Sequence, residues 1–184
     1  MRSLKEEFKK LKGLDEYVAL VAVDAKNYAK TNLEIIKHLT EEQIPGVYVT
    51  LSKPYETILK TMQNKDIDTK LIIFIDAVTK TAGGELRKEE NCLYIGSPEK
   101  LSDISIAMDQ AVMALPSAKR FLFFDSLSIL LIYSQPKTVA RFIHFLAGKM
   151  RVWKVKGIII SLRREKDDAL IKELMQFCDV KLEF

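Results

Sequence analysis

An α/β fold with a mostly parallel central sheet is predicted by three observations. Apolar runs of strand length alternate with helical patterns along the chain, the runs carry too few polar residues to leave one face in water, and several end in Asp or Ser. At 184 residues and 48% hydrophobic content, the chain suits one domain, which at this size buries roughly 70% of its unfolded surface.

Leu4, Phe8 and Leu11 fall at i, i+4 and i+7, so a short amphipathic helix is expected over residues 3–12, ended by Gly13 and available to dock on a partner. The domain is then expected over residues 14–184. Its first strand is Tyr17 to Val23, followed by a helix over 29–42 and, after the Pro45-Gly46 turn, a strand over 47–51. A helix over 55–64, a strand over 71–76, a polar Gly83-Gly84 loop and an extended piece at 93–95 come next. A helix over 100–114, a strand over 121–125, a helix over 136–150 and a strand over 157–162 continue the alternation. A helix over 167–177 and a terminal strand over 180–184 close it.

Composition narrows the function classes. Cys92 and Cys178 have neither the number nor the spacing for a disulfide framework or a zinc site, which suits a reducing cytoplasm. The run Phe121 to Tyr133 is too short for a membrane span and contains Asp125. The start, Met1-Arg-Ser-Leu-Lys-Glu-Glu-Phe, is amphipathic where a signal peptide is continuously apolar, so a cytoplasmic protein without membrane association is expected. A net charge of +4 and a pI near 8.9 are too mild to imply nucleic acid without a local patch. The basic residues around Trp153 (Lys149, Arg151, Lys154, Lys156) enter a strand, at the opposite end of the sheet from its carboxyl edge, and are expected to form a solvated turn. Arg163 and Arg164 leave a strand's carboxyl end, in a loop too short for a nucleic-acid site. His38 and His144 lie in helical patterns without catalytic neighbours.

The loop after the first strand carries the most specific signal. Asp24-Ala-Lys-Asn-Tyr-Ala-Lys30-Thr31 has the spacing of the phosphate-binding pattern G-x-x-x-x-G-K-[ST], with Asp24 and Ala29 at the two glycine positions. Glycines let the backbone turn its N–H groups toward phosphate, and Lys and Thr complete the site. Lys30 and Thr31 are in place, yet Asp24 sets a carboxylate against any phosphate. Facing the next helix's amino terminus and Lys30, Asp24 would fill that positive site without a ligand. A second signal is Arg120-Phe-Leu-Phe-Phe-Asp125-Ser-Leu-Ser, an apolar strand ending in Asp, in the manner of a Walker B segment whose Asp holds Mg²⁺ through its waters.

With these two motifs in this order, the chain resembles the RecA/KaiC-like branch of the P-loop NTPases from about residue 14 to 184. Gly46 to Glu56, Ser97 to Ile104 and Gly157 to Ser161 are further local matches, the last to the branch's fifth strand. The resemblance implies a three-layer fold with core strand order 5-1-4-3-2 and the P-loop and Walker B strands adjacent. Catalytic members carry a Glu after the second strand to polarise water, where this chain has Leu51-Ser52-Lys53-Pro54; Glu56 lies nearby but inside a helix pattern. The expectation is therefore a non-hydrolysing relative with no cofactor, acting through a protein partner or self-association. A nucleotide-binding protein or slow ATPase using Mg-ATP is the alternative, and a nucleic-acid accessory factor a third. Asp24, Asp76 and Asp125 all end strands on one edge, so they are candidates for holding Mg²⁺, against a reading in which Asp76 begins a turn and Asp125 bonds Thr31.

Overall fold

The computed structural model describes residues 4–184, and the expected helix start at residue 3 lies outside them. Seven strands form one wholly parallel sheet: β1 (Tyr17–Val23), β2 (Gly46–Thr50), β3 (Ile72–Asp76), β4 (Cys92–Tyr94), β5 (Arg120–Asp125), β6 (Val155–Leu162) and β7 (Val180–Glu183). Seven α-helices accompany them: α1 (Leu4–Phe8), α2 (Tyr28–Glu41), α3 (Tyr55–Gln63), α4 (Leu101–Ala114), α5 (Leu127–Tyr133), α6 (Pro136–Val152) and α7 (Asp168–Leu174).

Alternation along each strand divides the core in two, because successive side chains leave opposite faces. Ala19, Val21, Tyr48, Phe74, Phe121 and Phe123 pack with α1, α2 and α3 on one face. Val18, Leu20, Val49, Ile75, Leu122 and Phe124 pack with α4, α5, α6 and α7 on the other. The result is a helix-sheet-helix sandwich, as a parallel sheet with both faces apolar requires.

The strand order is β4-β3-β2-β5-β6-β1-β7. Counted as β1, β2, β5, β6 and β7, the core follows 5-1-4-3-2, with β3 and β4 extending its far edge. The expected assignment of strands to that order is corrected: residues 157–161 belong to the fourth position, and β7 is the fifth. β6 lies between β1 and β5, so the strands bearing Asp24 and Asp125 are not adjacent. Burial explains the placement, since Gly157 to Ser161 are buried throughout and need a neighbour on each side, whereas β7 carries Lys181 and Glu183 and suits an edge.

Two local expectations also change. α5 was not anticipated, because Leu-Ser-Ile-Leu-Leu-Ile-Tyr is apolar at nearly every position and shows no helical period; only Leu127, Ser128 and Leu130 are buried. The amino-terminal segment is α1 followed by a 3-10 turn over Lys9–Leu11, with Gly13 at φ +86°. Its apolar side is not left for a partner: Leu11 is buried, Leu4 and Phe8 pack on the α2 side of the core, and Phe8 stands edge-on to His38 at 5.0 Å.

Candidate functional site

Asp125 ends β5 on the same face as Phe121 and Phe123, beneath the start of α2. It is 2% exposed, and both of its oxygens are taken by phenols. Tyr48, from the middle of the neighbouring β2, lies stacked on Phe123 (5.0 Å, 18°) and donates its hydroxyl to Asp125 Oδ2 at 2.6 Å. Tyr28, the first residue of α2, donates to Oδ1. Asn32, one turn further along α2, is buried beside the Tyr48 hydroxyl, and its Oδ1 has no hydrogen-bond partner. Burial pushes the Asp125 carboxyl up to about 7, opposed by two phenol donors that favour the carboxylate, and raises the Tyr48 phenol well above its ordinary value.

The loop after β1 is a 3-10 turn over Ala25–Asn27. Two of its amides are spent internally: Asn27 N–H donates to the Asp24 carbonyl at 2.9 Å, and Tyr28 N–H to the Ala25 carbonyl. Asp24 does not meet Lys30. Its carboxylate lies 3.5 Å from Arg163, across from the end of β6, and Lys30, 65% exposed, pairs with Glu34 at 3.7 Å. Thr31 is buried and does not bond Asp125; the two tyrosines do. Ala29 lines a narrow cleft between α2 and α3 with Tyr28, Asn32, Tyr48 and Asp125, which leaves about 40 Å³, room for a few waters.

Mg-ATP, the alternative ligand, would meet three obstacles in this arrangement. The carboxylate that would hold the metal's waters accepts from two phenols, the Asn27 and Tyr28 amides of the loop are bonded to carbonyls, and Lys30 is turned to Glu34.

The three strand-end carboxylates do not come together. β6 separates β1 from β5, and β2 separates β5 from β3, so the Asp125 strand end lies about 10 Å from each of the other two, and the Asp24 and Asp76 ends lie about 20 Å apart, at the usual strand spacing. Among the described residues no group of three His, Cys, Asp or Glu is placed to hold a metal ion. Asp76 organises the loops around it: it accepts from Tyr55 N–H (2.7 Å), Val78 N–H (2.7 Å), Thr79 N–H (2.9 Å) and the Thr79 hydroxyl (2.5 Å). Glu56 is exposed and lies 3.6 Å from Arg87.

Three of the basic residues near β6 are matched by acids. Lys149 bridges both Asp109 oxygens at 2.9 Å, Arg151 meets Asp179 and Lys156 meets Glu42, while buried Trp153 donates to Asp109. His144 stacks on Phe177. No helix among the described residues is long and apolar enough to cross a membrane.

Residues 29–184 match the model of a family of unknown function, DUF7504. The chain belongs to that family. No curated protein matches the DUF7504 chain. Among solved structures it is similar to an uncharacterized protein from Pyrococcus horikoshii, PH0321, solved in complex with an unknown peptide. The TM-score is 0.72 at 12% identity, covering 97% of this chain and 82% of that one. It is also similar to a KaiC-like protein from Pyrococcus horikoshii OT3, PH0186, with a TM-score of 0.62 at 15% identity, covering 91% of this chain and 71% of that one. These likenesses show the fold: DUF7504 is built here on the RecA/KaiC-like α/β sheet.

Tyr28, Tyr48 and Asn32 were not singled out in the sequence. A signal was present in Tyr48, a phenol in the middle of a doubly buried strand, which requires a hydrogen-bond partner inside the core.

Proposed function

We propose that this DUF7504 chain is a RecA/KaiC-like domain that does not turn over nucleotide and serves as a regulatory or scaffolding protein-interaction module in the cytoplasm. The observation that carries the reading is the Tyr28 hydroxyl on Asp125, which fills from within the place where a metal-bound phosphate would approach. Two features support it: Asp24 and Ala29 stand where the P-loop pattern has glycines, and Leu51-Ser52-Lys53-Pro54 stands where the catalytic Glu is expected. The peptide in the PH0321 complex is a hint that a related fold engages other chains. The competing reading, a slow Mg-dependent ATPase with an altered loop, has in its favour Lys30 and Thr31 at the start of α2.

The test is the melting temperature with and without Mg-ATP, in the wild type and in Asp24→Gly/Tyr28→Ala/Ala29→Gly. Ligand at one hundred times its Kd stabilises by ~2.7 kcal/mol, roughly 5 to 11 °C for a domain of this size. No shift in the wild type at millimolar ATP is the expected result. A wild-type shift that Lys30→Ala abolishes overturns the proposal in favour of the ATPase.

A further inference from the structure

β7 is one of the two edge strands of the sheet, paired with β1 on one side only. Phe184 N–H donates to the Ala22 carbonyl and the Phe184 carbonyl accepts from Asp24, so Phe184 turns its backbone toward β1. By the alternation of a parallel ladder Val180 and Leu182 do the same, and Lys181 and Glu183 turn theirs outward. Among the described residues, the amino-terminal segment takes at least two of those outward groups. Glu183 N–H donates to Glu7 Oε2 at 3.0 Å, and Lys10 Nζ donates to the Lys181 carbonyl at 3.2 Å. Glu7 Oε2 and Lys10 Nζ are themselves paired at 2.6 Å, with Glu7 only 1% exposed.

The pattern has a specific meaning. In a parallel ladder one residue of the incoming strand donates its N–H to the carbonyl of residue j and accepts from the N–H of residue j+2; in an antiparallel ladder both bonds go to a single opposite residue. Here j is Lys181 and j+2 is Glu183, and the Glu7–Lys10 pair supplies the acceptor and the donor that one residue of a parallel strand would supply. On the α2 face of this edge, Leu4 and Phe8 cover the core where that strand's side chains would lie.

We propose that the β7 edge is a docking site for an extended segment of a partner protein, which adds as an eighth, parallel strand after displacing the Glu7–Lys10 pair. The segment carries apolar side chains at alternate positions, to replace Leu4 and Phe8 over the core, and its main chain replaces the ion pair. The side-chain bonds otherwise guard an exposed edge against unwanted pairing. This inference rests on the reading of the chain as an interaction module and gives that module its site.

The probe is a fluorescein-labelled peptide of alternating Val and Thr with Lys at each end, titrated into the full chain by anisotropy. Hydrogen exchange at the Lys181 and Glu183 amides locates it. Glu7→Gln/Lys10→Gln, shown to be folded by circular dichroism, is expected to bind at least ten-fold more tightly than the wild type, with new protection at both amides. If that variant does not fold, Lys10→Gln alone is used and is expected to gain affinity in the same direction. Equal affinity in wild type and variant, protection at Cys92–Tyr94 on the opposite edge, or a variant that dimerises through β7 and leaves the peptide unbound would each overturn the proposal. Failure here leaves Mg-ATP affinity untouched, whereas failure of the functional reading appears as a nucleotide-dependent melting shift, so the two are separable.

Discussion

Replacing Asp125 by Asn removes a buried titrating group while keeping its hydrogen bonds, since the amide can accept from one tyrosine and donate to the other. In the folded wild type burial raises this carboxyl from 3.8 to about 7. Between those values the folded state holds a proton that the unfolded state has lost, so stability falls as pH rises through the window, with the full cost present above about 7. The gap of about 3 units, at ~1.4 kcal/mol each, gives ~4 kcal/mol as the upper limit. For a domain of this size that is roughly 8 to 16 °C in melting temperature. Thermal and urea unfolding at five pH values from about 4 to 8, in wild type and Asp125→Asn, isolates the contribution, because all other groups titrate in both proteins. The wild type should lose stability relative to the variant as pH rises. Curves that stay parallel across this range refute the reasoning and mean that the Tyr28 and Tyr48 donors hold the carboxylate ionised at no cost.

Other substitutions test the geometry around it. Asp76→Ala strands three backbone N–H groups and the Thr79 hydroxyl inside the protein, and should cost at least ~3 kcal/mol in urea unfolding, with Asp76→Asn costing less; a change below ~1 kcal/mol in both would show that water replaces the carboxylate. Gly46→Ala would set a methyl 2.3 Å from the buried Phe121 ring and should destabilise by ~1–3 kcal/mol. Gly157→Ala meets chiefly the Met150 sulfur, at the mobile end of a side chain, and should cost less; the reverse ranking in chemical denaturation would refute this.

Local chemistry made much of the fold legible. Val-Ala-Leu-Val-Ala in β1 and Phe-Leu-Phe-Phe in β5 are apolar on both faces, and the parallel sheet follows from that; Pro45-Gly46 marks the start of β2 as read. Where the period is hidden, reading failed: in α5 nearly every residue is apolar, and the helix exists because Leu127 and Leu130 find the core. The loop after β1 was legible as a site by its spacing, but not its state. The sequence places Tyr28 four residues after Asp24 and Asp125 at a strand end; it does not say that they meet.

What the sequence by itself determined is therefore the set of elements other than α5, their parallel arrangement and the positions of Asp24, Lys30, Thr31, Asp76 and Asp125 at strand and helix ends, because each depends on neighbours a few residues away. Only the tertiary structure decided that β6 separates β1 from β5, that Asp24 turns to Arg163, and that two tyrosines close on Asp125. Those outcomes join residues 97 and 77 positions apart for the two tyrosine bonds. Strand order and long-range hydrogen bonds are set by how the packed layers bury apolar surface and satisfy polar groups together, which no local stretch encodes.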